Sequence, residues 1–228
     1  MRYPRDHKER TRRRILRAAA RRFRQKGFAG AGVDSVMRTA GLTAGGFYAH
    51  FGSKEALLAE ALALAEAQVQ ERLLAGIDDL EGIDWLREVI RRYLSRGHRD
   101  DVAKGCVLPT LTAEAPRLGG RARASLEAYV RRIADGFEAK TAGLPGLEPK
   151  DRVLATIALC AGGLMLARAV RDEELSDRIL LACRRLALPE DMTERGQSGA
   201  TGGAERPEHA HRIEEMDRGP ALAARRTP

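Results

Sequence analysis

The chain has 228 residues, 43% apolar, 32% charged and only 4% aromatic, with a net charge of +8. That length allows one or two domains with a sizeable core, and the Ala-, Leu- and Arg-rich mix favours helices over sheets. Three cysteines (Cys106, Cys160, Cys183) without a Cys-x-x-Cys pair exclude a disulfide scaffold, argue against a structural zinc site and point to a reducing compartment.

The positive charge is concentrated. Residues 1–54 hold 14 Lys/Arg against 3 Asp/Glu, while residues 55–228 hold 26 against 29. Such asymmetry points to a nucleic acid or another acidic surface at one end of the molecule. No apolar signal core follows Met1, and the longest apolar run, Val153 to Ala167, is 15 residues. A membrane span needs about 20. No membrane contact is expected, and the run reads as a buried helix.

In chain order, residues 9–26 predict a basic helix with Ile15, Leu16, Ala19 and Phe23 on its apolar face and Gly27 placed to end it. A short helix follows at about 33–39, with Val33, Val36 and Met37 inward. In Ala40-Gly41-Leu42-Thr43, Gly41 permits a positive φ, Leu42 plugs the space between two helices, and Thr43 is a competent N-cap. The next helix is Ala44 to Phe51, with Phe47 and Phe51 on one face. Basic helix, short helix, glycine turn and short aromatic helix form a helix-turn-helix pattern.

Ser53 is a good N-cap for a long helix reaching about Ala75. Beyond it, apolar residues at helical spacing mark Trp85 to Leu94, ending near Gly97, and Leu126 to Phe137. A helix from Gly105 would be interrupted by Pro109. Another starts at Pro149, and a last one spans roughly 173–187. No stretch alternates with period two, and no fixed repeat appears. Residues 195–228 are poor in large apolar groups and predict disorder. Their His209 and His211 read as an incidental pair, and no metal site is expected.

Arg12-Arg13-Arg14-Ile15-Leu16-Arg17-Ala18-Ala19, Phe23, Gly27-Phe28, Ala40-Gly41-Leu42-Thr43, Gly45, Phe47-Tyr48, His50-Phe51 and Ser53-Lys54-Glu55-Ala56-Leu57-Leu58 resemble the TetR/AcrR family of bacterial transcriptional regulators. The resemblance covers about residues 9–69. It implies an all-α fold, with an N-terminal three-helix DNA-binding domain and a C-terminal helical domain for ligand binding and dimerisation. The expected divisions are a basic arm at 1–8, the DNA-binding domain at 9–69 with its helix-turn-helix at about 32–51, the ligand and dimer domain at 70–188, and a disordered tail at 189–228.

By motif position the resemblance places Thr43, Ala44, Gly46, Tyr48, His50 and Lys54 at the DNA. Lys54 corresponds to a phosphate-contacting lysine, and Thr43 stands where a helix N-terminus meets phosphate. Two features depart from the family. Ala31-Gly32 replace the usual Ser or Thr cap, and Ala44 replaces a longer polar side chain. Base readout then rests on few groups, with DNA shape and Arg2 or Arg5 in a groove supplying the rest.

The family pairs through its last two helices. Small residues at the centre of the 158–164 run suit close helix packing, so Ala158, Ala161, Gly162, Leu175, Ile179 and Cys183 are the expected dimer contacts. The effector pocket is expected between body helices, walled by Trp85, Val89, Tyr93, Cys106, Leu108, Tyr129, Phe137 and Met165. The implied protein is a cytoplasmic, ligand-responsive homodimeric repressor on a palindromic DNA operator, released by a small-molecule effector, with no cofactor. An activator of the same fold stays open. So does a redox or electrophile sensor acting through Cys106, because Lys104 lies nearby in sequence. No catalytic motif appears. The nearest acid–base group, His98 with Asp100 and Asp101, falls in an expected loop, so no enzymatic activity is expected.

Overall fold

The structure is a computed structural model that describes residues 5–188. The expected tail, with His209 and His211, and Arg2 of the arm lie outside them. Among the described residues all regular structure is helical: α1 Arg5–Gly30, α2 Val33–Thr39, a 3₁₀ turn Ala44–Ala49, α3 Lys54–Leu74, α4 Gly82–Tyr93, α5 Arg96–Asp100, α6 Leu108–Leu111, α7 Gly120–Glu138, α8 Pro149–Ala169 and α9 Glu173–Ala187, with shorter 3₁₀ turns between. The first helix starts at Arg5, so half of the expected arm is already helical.

Local chemistry sets several boundaries. Gly27 (φ 69°) breaks α1, yet three more residues follow before it ends. The exposed N–H groups of Phe28 and Ala29 donate to the Glu114 carboxylate at 2.8 and 3.1 Å. A side chain at residue 27 would be strained by the positive φ and would displace the Glu114 carboxylate, which lies 2.0 Å from where a Cβ would stand. Gly41 has φ 68° and turns the chain as expected. Ser53 caps α3 by accepting the Ala56 N–H. Ser95 accepts the His98 N–H and starts α5, which therefore stands apart from α4. His98 is thus helical rather than in a loop. Pro109 kinks nothing: it lies in the first turn of α6, where its missing N–H leaves no intrahelical bond unmade.

The helices pack around one continuous core that runs from an N-terminal head into a larger body. In the head, Ile15, Ala19 and Phe23 of α1 meet Val36, Met37, Phe47 and Phe51, all nearly fully buried. The long α3 runs out of the head and buries Leu62, Ala65, Val69 and Leu73. Behind it, Trp85, Leu86, Val89 and Ile90 of α4 and Leu126 and Tyr129 of α7 continue the core. Two buried arginines and the half-buried Arg168 tie loops to helices through carbonyl oxygens. Arg24 donates to Ala65 O and Ala103 O, Arg152 to Leu144 O, and Arg168 to His98 O and Arg99 O.

The α8–α9 hairpin is apolar on both sides. Cys160, Leu164, Ala167 and Leu180 face the core. Leu154, Met165 and Leu166 of α8 and Leu175, Leu181 and Leu186 of α9 are exposed on the other. By length and composition α8 is long and apolar enough to cross a membrane, but it lies against α9 with a buried arginine, Arg152, in its first turn.

Candidate nucleic-acid interface and ligand cavity

The segment after Thr43 adopts a 3₁₀ turn over 44–49 rather than the expected α-helix to Phe51. Gly45 and Gly46 explain this: each is about 1 kcal/mol poorer than Ala in an α-helix. Tighter bonds form instead, from Gly46 N–H to Thr43 O and from His50 N–H to Phe47 O. Phe47 is fully buried and stacks on Phe51 with centroids 5.9 Å apart. That anchor turns the opposite face outward. Tyr48 is 73% exposed although it touches Phe47 edge-on. Thr43, Ala44 and Gly45 are exposed, and Thr43 makes no side-chain capping bond. Gly46 is half-buried with Met37 Cε nearby.

His50 is half-buried and its Nδ1 has no hydrogen-bond partner. Burial first, then Lys8, Arg12 and His7, hold its pKa below the usual imidazole value. The basic residues of α1 are partly occupied. Arg12 pairs with Glu60 and lies 4.6 Å from the centre of the Phe51 ring, and Arg14 donates to Ala40 O at the glycine turn. Arg17 and Arg21 are exposed.

Lys54 departs from its expected role. Its ammonium lies 4.2 Å from the centre of the Phe28 ring and donates to Phe28 O, and burial lowers its pKa. The charge is turned inward onto the kink of α1, so phosphate contact is not its geometry here. Residue 28 is held from both sides, by Lys54 from α3 and by Glu114 from the segment after α6.

A cavity of about 60 Å³ lies between α3, α4, α6, α7 and α8. Trp85, Val89, Tyr93, Cys106, Leu108, Tyr129 and Phe137 line it. Met165 does not. It is 40% exposed on the outer face of α8, one position past the buried Leu164. The reading from sequence missed Glu66, Val69, Gln70 and Leu73, which bring α3 into the wall, and Thr156 and Cys160 of α8. The i, i+3, i+4, i+7 spacing of those four α3 residues was the available signal. Trp85 meets Phe137 edge-on at 4.9 Å.

Cys106 is 3% exposed. Its sulfur lies 3.7 Å from Tyr129 Oη and accepts the Leu108 N–H, while its own N–H donates to His98 Nε2. The Nδ1 of His98 in turn bonds Tyr93 O at 2.7 Å. Burial lowers the His98 pKa to about 4, so the ring is neutral and acts as a strut. Lys104 is irrelevant to the thiol: its side chain is 74% exposed and pairs with Asp101. Cys160 is core, its pKa pushed by burial to about 12, and Cys183 packs over Gly163. Of the expected dimer contacts, Ala158 and Leu175 are exposed and Gly162 has open space above it, whereas Ala161, Ile179 and Cys183 lean on the core. Among the described residues no cluster of His, Cys, Asp or Glu is placed to hold a metal.

Comparison with known proteins supplies the frame. Residues 15–61 match the family model of bacterial regulatory proteins, tetR family. The HTH-type transcriptional regulator UidR of Escherichia coli K12 is 37% identical over 89 residues, which is 39% of this chain and 43% of UidR. The match thus spans less than half of that relative. The fold extends the likeness. A TetR regulator from Chloroflexus aurantiacus J-10-FL has a TM-score of 0.65 at 23% identity, covering 78% of this chain and 94% of its own. AibR, in complex with isovaleryl coenzyme A and operator DNA, has a TM-score of 0.55 at 18% identity, covering 78% and 98%. Residues 15–61 thus carry the helix-turn-helix domain of bacterial regulatory proteins of the tetR family, and the helices behind it share the fold of solved TetR-type structures.

Proposed function

We propose that this chain is a cytoplasmic, ligand-responsive transcriptional regulator. As a homodimer it binds a two-fold DNA operator and acts as a repressor, released when a small molecule enters the cavity. The observation that carries DNA binding is the division of the 44–50 segment: Phe47 locks it to the head while Tyr48 and the backbone around Ala44 and Gly45 stand free. Backbone free of large side chains can approach DNA closely, and Tyr48 offers a hydroxyl to phosphate or a ring to sugar. The excess of Lys/Arg in residues 1–54 supplies sequence-independent attraction. UidR's designation and AibR's operator complex agree with this reading.

Dimerisation rests on the outer face of α8–α9. Six exposed large apolar side chains on one hairpin are unusual for a monomer's surface, and two such hairpins make a four-helix bundle. A two-fold axis there would set the spacing of two recognition segments, roughly 34–36 Å for one DNA turn. Ligand response rests on the chain of contacts from cavity to head. Leu108 of α6 lines the cavity, Thr110 Oγ1 donates to Arg24 O on α1, and Glu114 holds the N–H groups after Gly27. A ligand that moves α6 would move the end of α1. It shifts the equilibrium only by its difference in affinity between the two states.

A second reading has its own observation. The Cys106 sulfur sits at the start of α6 on the cavity wall, so an electrophile entering the cavity meets a nucleophilic atom within that relay. Equal responses of wild type and Cys106→Ser to an alkylating agent would eliminate it.

Selection from a random duplex library at near-physiological salt tests the main reading. A recovered motif with two-fold symmetry is expected, and Tyr48→Ala should bind it about tenfold more weakly while melting at the wild-type temperature. Failure of the folded protein to enrich any motif would overturn specific operator recognition.

A further inference from the structure

The chemistry of the cavity lining narrows what can occupy it. Four of the chain's ten aromatic residues, Trp85, Tyr93, Tyr129 and Phe137, surround it. No Lys, Arg or His is among its lining residues, and its one carboxylate, Glu66, is paired with Arg132 at the edge. The buried Arg24, which bears on Tyr129 and Cys106, is occupied by Ala65 O, Gln68 Oε1 and Ala103 O, and the buried Arg152 by Leu144 O and Leu147 O. An anion entering the cavity would lose its hydration and meet a carboxylate with no free cation in the wall.

One polar group in the wall is unsatisfied. Tyr93 is 8% exposed, and its Oη is enclosed with no hydrogen-bond partner. Its neighbours Cys106, Cys160 and Tyr129 also line the cavity, and the Cys106 sulfur is the polar group that bears on it most, a weak acceptor at best. Tyr129, by contrast, has the Cys106 sulfur at 3.7 Å. Burial pushes the Tyr93 phenol well above its ordinary pKa, so it stays protonated and keeps its O–H to donate. An enclosed donor without an acceptor is costly, and a ligand that brings the acceptor recovers that cost.

We infer that the cavity takes an uncharged, predominantly apolar molecule bearing an acceptor oxygen, which receives a hydrogen bond from Tyr93 Oη. This deepens the effector reading and rests on it only for the consequence of binding. At about 60 Å³ the cavity is smaller than the roughly 150 Å³ that accepts benzene in an engineered protein core, so a ring-sized ligand must part its walls. Carboxylates, phosphates and other charged groups fall outside the class.

Trp85 is the chain's single tryptophan and lies in the wall, so its fluorescence reports occupancy directly, without DNA. Four probes built on one cyclohexane ring separate the possibilities: cyclohexyl methyl ether, methylcyclohexane, cyclohexanecarboxylate and cyclohexylammonium, each titrated into the full-length protein. The ether should bind most tightly. Tyr93→Phe should weaken it about five- to tenfold, the size of one recovered hydrogen bond, and leave methylcyclohexane unaffected or slightly improved. Tighter binding of the carboxylate or the ammonium, equal binding of ether and hydrocarbon by wild type, or no binding of the ether at all would each overturn the inference. The wild-type ranking decides even if Tyr93→Phe proves unstable. Ether binding without operator release would keep the ligand class and remove the effector reading.

Discussion

The head and the body use aromatic rings in opposite ways. In the head, Phe47 stacks on Phe51 and Phe23 on Phe28, both at 5.9 Å, and the first three are nearly fully buried against each other and against α1 and α3. In the body, Trp85, Tyr93, Tyr129 and Phe137 stand around a space and leave one phenol without a partner. Filled packing fixes one shape, because close-packed interiors rearrange in discrete steps. A lined cavity holds back part of its contact energy until something fills it. The head is therefore built to present one surface, and the body to change.

The largest expected effect tests that contrast with one substitution made twice. Phe47→Ala empties a filled site and should cost about 3–5 kcal/mol. Phe137→Ala enlarges a space that already exists beside a partly buried ring and should cost about 1–2 kcal/mol less. Urea unfolding of both variants measures the difference. Equal losses would mean that the body is packed as tightly as the head.

A smaller effect follows from the buried His98. In the body, burial holds His98 at about 4, against 6.5 for an exposed ring. The unfolded chain therefore takes up the proton first. The stability from the neutral ring is complete above about pH 6.5 and is lost as pH falls towards 4, at most about 3 kcal/mol. Glu88, held at about 2 chiefly by its hydrogen bond to Arg91, loses its contribution only below 4.5, in a separate window. Unfolding free energy measured between pH 7 and 4.5 should fall in wild type and flatten in His98→Gln. An unchanged slope would show that the strut between Tyr93 O and Cys106 N–H is not what makes the body acid-sensitive.

The head was largely legible in the sequence and the cavity only in part, for a physical reason. Ala40-Gly41-Leu42-Thr43 specifies its turn from within four residues, and Gly41 adopts the positive φ that this requires. The walls of the cavity come from five helices, α3, α4, α6, α7 and α8, and which side of a helix faces them depends on what covers the other side. On α8, apolar residues run all round. Periodicity therefore cannot separate the buried Leu164 from Met165, which faces out. Glu66 and Gln70 went unseen because polar side chains add nothing to an apolar stripe, and residues up to 69 were assigned to the DNA-binding domain. Pro109 read as a kink because nothing local revealed that a new helix starts at Leu108. Lys54 lies inside the motif itself, yet its partner, Phe28 O, is 26 residues back along the chain.

Lys54 gives the smallest and sharpest test, because its family position and its geometry disagree. As a phosphate contact, its charge would matter to DNA. As placed, its charge lies over the Phe28 ring and its ammonium satisfies the carbonyl at the kink of α1. Lys54→Met keeps much of the aliphatic stem and removes the charge. A lysine on phosphate would take with it roughly one unit of the slope of log affinity against log salt in each protomer. A lysine turned inward would leave that slope alone and instead cost about 1 kcal/mol of stability, one hydrogen bond. We expect the second outcome, with operator affinity lowered only as far as the kink loosens. A reduced slope at unchanged stability would mean that DNA draws the side chain out of its inward position, so that the head too has a part that changes on binding.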